Sequence, residues 1–284
     1  MGTRGLLGFA YKGALKVAYQ NNNAYPMGLG QEVVDFCESM EEVNRETGEG
    51  NAWDILKDNV EALELVDAED TPAPLILAQY KGADFTINDG EWSDVLAYAV
   101  GRTGLDAVFA GELHHWIDSR DFAKQSLFCE YAYVLDLDHM TLDLFVGKQY
   151  EPQDGNPFGQ EGYQETYPDG RVGETMYPVR CLASYPLNAV PENWDKPFDD
   201  YQKEKTMVER AKRQEQIKKS NSNVHRIENT RDNHNKYWQI TKKAGYIMQA
   251  EWGPIGKTPR YKDYTESEAW EKYHKKLKEG YHEV

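Results

Sequence analysis

The chain has 284 residues, 40% of them hydrophobic and 12% aromatic, a globular composition that excludes a disordered tail. Acidic side chains outnumber basic ones 48 to 32, for a net charge of −16 at pH 7. No run approaches the ~18 consecutive apolar residues of a membrane-spanning helix.

Residues 3–10 and 14–19 read as two short strands joined by a turn at Tyr11-Lys12-Gly13. A polar turn, Asn21-Asn22-Asn23, leads through Tyr25-Pro26-Met27-Gly28-Leu29-Gly30 into a helix over 31–45. Its apolar side is Val33, Val34, Phe36, Cys37 and Met40. Gly48-Glu49-Gly50 breaks it, and a second helix is expected over 53–66. Leu75-Ile76-Leu77-Ala78 reads as a short buried strand, and 91–110 as mostly helical with interruptions near Gly101 and Gly104. Residues 130–147 alternate as a hairpin, 150–175 read as a long loop, and 176–190 as extended chain. Residues 201–220 form a charged helix with few apolar positions, and Ser220-Asn221-Ser222-Asn223 reads as a flexible joint. The expected architecture is α+β. It comprises an acidic domain over 1–197, a charged connector helix over 198–221 and a small sheet-and-helix domain over 222–284.

Charge divides along the same line. Residues 1–200 carry 36 acidic and 13 basic side chains, a balance of −23, whereas residues 201–284 carry 12 and 19, a balance of +7. Such a reversal marks two modules with different surface tasks. The basic module points to an anionic partner, DNA or RNA, and the acidic one to a protein partner.

The three cysteines, Cys37, Cys129 and Cys181, are odd in number and far apart. They support neither a disulfide framework nor a Cys-x-x-Cys zinc site. The opening Met1-Gly2-Thr3-Arg4-Gly5-Leu6-Leu7-Gly8 lacks an extended apolar stretch, so no signal peptide is expected, and a cytoplasmic, membrane-free setting is.

After the joint come Val224-His225-Arg226-Ile227-Glu228, Asn235-Lys236-Tyr237-Trp238-Gln239-Ile240 and Ala250-Glu251-Trp252-Gly253-Pro254-Ile255-Gly256. A final helix from Glu266 packs through Ala269, Trp270, Tyr273 and Leu277 and stops at Gly280. This order of blocks resembles the WGR domain found in poly(ADP-ribose) polymerases and bacterial regulator-like proteins. The resemblance implies a small sheet with one helix that binds nucleic acid, with the Trp-Gly-Arg strand at or near the contact. Carried over, it nominates Trp252 and Gly253 as binding residues. Pro254 replaces the arginine, removing a planar guanidinium, and Lys257, Arg260 and Lys262 follow closely enough to supply phosphate contacts instead. The opening Met1-Gly2-Thr3-Arg4-Gly5, the Tyr25 to Gly30 segment and the hairpin Glu130 to Asp138 look similar to uncharacterised proteins of bacteria and phages. That family carries no activity to transfer.

Three further constellations bear on chemistry. Gly28 and Gly30 precede a helix where free N–H groups, helped by Arg4, can hold an anion, although a turn needing glycine is the commoner reason for such a pair. Asp136, Asp138 and Asp143 near a hairpin end suit either a cation or an ordinary turn. His114, His115 and Asp118 fall on one short stretch expected to be helical, where His114 and Asp118, one turn apart, suit either a metal pair without an evident third ligand or, more commonly, a polar helix face. No phosphate loop, nucleophile elbow or His-Glu-x-x-His motif occurs, so no catalytic residue, metal or cofactor is assigned. The leading expectation is a nucleic-acid-associated adaptor. The alternatives are an inhibitor or regulator of a nucleic-acid enzyme, of a phage counter-defence type, and an enzyme with a site near Arg4 and Gly28/Gly30.

Overall fold

The computed structural model describes residues 2–47, 52–81, 83, 90–221, 224–230, 235–243, 245 and 247–284. The fold is α+β. The chain divides into two compact units, Met1–Gln202 and Lys203–Val284.

The first unit is built on a five-stranded mixed sheet. β1 (Gly5–Tyr11) and β2 (Ala14–Gln20) form a hairpin whose turn residues, Lys12 and Gly13, have φ of 50° and 73°. Two positive φ values give the two-residue loop the twist that matches its strands. The chain then passes through a single π-helical turn (Pro26–Gly30) into α1 (Gln31–Thr47) and α2 (Ala52–Ala62). The expected break at Gly48-Glu49-Gly50 lies outside the described residues.

The second helix is shorter than the apolar pattern suggests. It ends at Ala62, and Glu64–Val66 is instead β3, parallel to β4 (His115–Ile117). The cause is local. The Lys16 ammonium, brought over from β2, donates to the carbonyls of Val60 (2.7 Å) and Glu61 (3.2 Å), satisfying the acceptors at the helix end. The strand expected at 75–78 is also overturned: α3 (Pro74–Tyr80) is helical, with Pro74 in its first turn. Leu75 is 80% exposed while Tyr80 is buried, so the apolar run turns around a helix instead of filling a sheet. α4 (Trp92–Val95) and α5 (Gly101–Phe109) follow, and Gly104 lies inside α5 instead of interrupting it.

β5 (Tyr131–Asp136) and β6 (Thr141–Val146) form the hairpin, and β7 (Arg180–Pro186) completes the sheet order β2-β1-β5-β6-β7. Within this sheet β1 and β5 pair in parallel and the other neighbours are antiparallel. Both faces are buried, and strand alternation assigns the residues. Leu7, Phe9, Tyr133, Leu135, Leu142 and Leu144 meet the helices. Leu6, Val17, Ala132, Val134 and Phe145 meet Phe158 and Val179 on the other side. Within 150–175 the chain is irregular but carries isolated bridges, Tyr163 to Met176 and Thr166 to Val172.

α6 (Lys196–Asn221) begins in the first unit, where Phe198 is buried. It includes Ser220 and Asn221 of the expected joint, while Ser222 and Asn223 lie outside the described residues.

The second unit is a five-stranded antiparallel sheet in the order β11-β10-β9-β8-β12. Its strands are β8 (Val224–Asn229), β9 (Lys236–Lys242), β10 (Ile247–Pro254), β11 (Arg260–Thr265) and β12 (His282–Glu283). Sequence reading saw three strands here; β11 and β12 are the additions. α7 (Glu266–Lys278) starts with a reciprocal cap between Thr265 and Glu268 and packs Ala269 and Tyr273 onto Ile227, Trp238, Ile240, Met248 and Ala250.

Candidate nucleic-acid interface

Directly opposed residues in a sheet share a face, so the register decides what accompanies Trp252. Ile227, Trp238, Trp252 and Arg260 are aligned across β8, β9, β10 and β11. One step outward, Pro254 is aligned with Lys236. Trp238 is 5% exposed and belongs to the core under α7, whereas Trp252 is half-buried at the margin of that core. Lys257 sits in the turn that follows, its N–H donating to the Pro254 carbonyl at 3.2 Å. The end of the sheet therefore carries Lys236, Lys257 and Arg260 around Pro254 and Trp252. All three cations are exposed, and none makes an ion pair among the described residues.

The sheet's opposite face is chemically self-contained. The Arg226 guanidinium lies 4.2 Å from the Tyr237 ring centroid and 2.8 Å from Glu228. The Tyr237 hydroxyl donates to Glu251, and burial together with that carboxylate pushes the phenol up to about 12. Gln249 donates to Asp263 at 3.3 Å. Charges already matched within the chain offer little to a phosphate, so the two faces differ in what they can bind.

The sequence-nominated residues thus separate. Trp252, Gly253, Lys257 and Arg260 lie together on the β10–β11 hairpin. A Cβ at Gly253 would meet only Pro259 and Thr258, at 3.5 Å and 3.7 Å, so crowding does not demand glycine there. Lys262 is drawn aside: it and Lys272 lie 5.2 Å and 5.3 Å from the Tyr264 ring centroid. Lys236 was missed by sequence reading. It is far from Trp252 along the chain, and only the β9–β10 register brings it alongside.

In the first unit, Gly28 and Gly30 have packing duties. The Gly28 N–H donates to Tyr25 (2.9 Å) and that of Leu29 to Asn23 (2.8 Å). A Cβ at Gly30 would stand 2.5 Å from the Trp194 ring and 2.9 Å from Tyr133, closer than real contacts allow. Arg4 lies 4.9 Å from the Phe128 ring centroid.

His114, His115 and Asp118 are not on a helix. His114, just before β4, is exposed, His115 at the start of β4 is buried, and Asp118 is taken by Arg120 at 2.6 Å. His115 Nδ1 shares a hydrogen bond with the Tyr80 hydroxyl at 2.6 Å and its ring stacks on Trp92 at 4.5 Å; burial holds its imidazole below the usual 6.5. The hairpin aspartates are also engaged: Asp138 accepts from Gly13 (3.3 Å), Asp136 from His139 (2.9 Å) and Asp143 from Thr141 (2.9 Å). Among the described residues, no three His, Cys, Asp or Glu side chains are grouped to hold a metal ion.

A concavity of the first unit, about 750 Å³, lies elsewhere, between the end of β2 and the start of α5. Gln20, Glu32 and Trp116 are among its walls. Gln20 accepts from the Gly101 N–H at 2.9 Å and Glu32 from that of Arg102 at 3.0 Å, closing the first turn of α5. The Gln20 amide nitrogen and the Trp116 indole nitrogen are buried without a hydrogen-bond partner among the described residues.

The chain matches no protein-family model, no curated protein and no solved structure. The reading of function therefore rests on these residues themselves.

Proposed function

We propose that this protein is a nucleic-acid-associated adaptor. The second unit, WGR-like in its order of strands and helix, engages the phosphate backbone of DNA or RNA with one end of its sheet. The acidic first unit engages a basic protein partner. The observation that carries the reading is the placement of Lys236, Lys257 and Arg260, exposed and without acidic partners among the described residues, around Trp252. In a chain of net charge −16, local cations free of internal partners are where a polyanion meets least repulsion. Arg260, aligned with Trp252, returns from the adjacent strand the guanidinium that Pro254 lacks.

The test is a salt titration of duplex DNA and single-stranded RNA binding by the full chain, read by fluorescence anisotropy. Three to five phosphate contacts give a log–log slope of about −3 to −4 on duplex DNA and a shallower one on single-stranded RNA. Lys236→Ala and Arg260→Ala should each weaken binding and flatten the slope by about 1. Pro254→Arg should strengthen it. Absence of binding at low salt by both the native chain and Pro254→Arg would overturn the proposal, and the sheet end would then be a protein-contact surface.

A further inference from the structure

A second, smaller concavity of the first unit, about 180 Å³, has a chemistry of its own. Gln125, Leu127 and Phe128 form part of its wall, Met176 adds to it, and the rest comes from the irregular segment 150–175 expected as loop. There the backbone exchanges hydrogen bonds between Tyr163 and Met176 (2.7 Å and 2.8 Å), and the Gly173 N–H donates to Glu165 (2.8 Å). The segment is therefore locally extended, and alternation sets Tyr163, Glu165 and Tyr167 on one side of it, with Glu174 on the returning chain. Four aromatic rings and two carboxylates line one small hollow. Neither Glu165 nor Glu174 makes an ion pair among the described residues.

This combination selects for a cation with an apolar surface. Aromatic faces are negative at their centre and attract ammonium groups, most strongly when the group is poorly hydrated, as methylated ammonium is. The carboxylates supply the compensating charge. A bare ammonium would give up strong hydration to enter, and an anion would meet both glutamates and the negative field of a unit of balance −23. Two of the rings already hold guanidinium groups of the chain itself, Arg4 on Phe128 at 4.9 Å and Arg171 on Tyr167 at 5.5 Å. Neither arginine lines the hollow, and Arg171 is matched by Asp169 at 2.7 Å.

We infer that this hollow, formed by Phe128, Tyr150, Tyr163, Tyr167, Glu165 and Glu174, is a binding site for a methylated ammonium group. The group is carried either by a free small molecule or by a methylated lysine of a protein. The site is independent of the nucleic-acid reading, because no residue of it lies in the second unit.

The full chain is titrated calorimetrically at physiological salt with choline and with its uncharged isostere 3,3-dimethylbutan-1-ol. A trimethyl-lysine peptide and the same peptide unmethylated complete the set. The expected result is saturable binding of choline or of the methylated peptide, with the uncharged isostere weaker than choline, or the unmethylated peptide weaker than the methylated one, by roughly five- to thirty-fold. Whichever probe binds more tightly identifies the source of the group. The paired substitution Glu165→Gln with Glu174→Gln preserves shape and should weaken binding several-fold, as should Tyr163→Leu, which keeps an apolar wall but removes the ring. Equal binding of choline and its isostere, saturation by no probe, or affinity unchanged in both variants would overturn the proposal.

Discussion

Partners decide what a charged or titratable side chain does in this molecule. Lys16 looks like an ordinary strand lysine, yet it closes a helix, and burial holds its ammonium below the usual range. His115 falls in the polar stretch with His114 and Asp118, yet it is buried and hydrogen-bonded to Tyr80. Because the folded imidazole titrates below its ordinary 6.5, the unfolded chain takes up the proton first as pH falls. Its contribution is therefore intact above pH 6.5 and is lost progressively below it, down through the lowered folded value. Melting temperature measured from pH 8 to 5 should fall in this window for the native chain. His115→Phe should flatten that fall while losing about 1–3 kcal/mol throughout, since the buried Tyr80 hydroxyl loses its hydrogen-bond partner at His115. An identical pH profile in the variant would show that His115 does not set it.

Among the elements, α6 is the least anchored. Phe198 is buried and Tyr201 receives a hydrogen bond from Gln149 at 2.9 Å, but from Gln202 to Gln214 no side chain is buried. A helix without an apolar face to pack opens locally at low free energy. Limited digestion with trypsin should therefore cut first within residues 203–219, where lysine and arginine are dense, and leave two resistant fragments. First cuts in the β5–β6 hairpin would show that the helix is protected and that this account of its stability is wrong. The elements read correctly from sequence are those with long, clean periodicity: the β1–β2 and β5–β6 hairpins, α1 and α7. The four-residue run Leu75 to Ala78 was misread because so short an apolar stretch fits a strand or a helix turn equally. Likewise β3 continues the apolar pattern of α2, and only the Lys16 contact and pairing with β4 separate them.

The whole molecule joins two bodies, each with its own apolar core and opposite in net charge. Residues 1–202 carry −23 and residues 203–284 carry +7, since positions 201 and 202 are uncharged. Separate cores should give two calorimetric unfolding transitions. Like charges confined to one compact body repel one another, and added salt screens them. The transition of the acidic unit should rise by several degrees as salt goes from low to physiological, and that of the basic unit should move less. One salt-independent transition would refute both the separation and the importance of self-repulsion.

Composition, charge and periodicity were enough to determine an α+β chain with an acidic part and a smaller basic part, because these depend on residue type and on neighbours a few positions apart. The same was true of the packing face of α7. The sequence also nominated Trp252, Lys257 and Arg260, which are close along the chain. It had no means of adding Lys236 or of withdrawing Lys262 toward Tyr264, since cross-strand register and ring contacts are set by pairing between distant segments. The hollow around Tyr163 and Glu165 is a similar case. Its rings come from Phe128, Tyr150 and a bridged loop, and no linear spacing encodes that convergence.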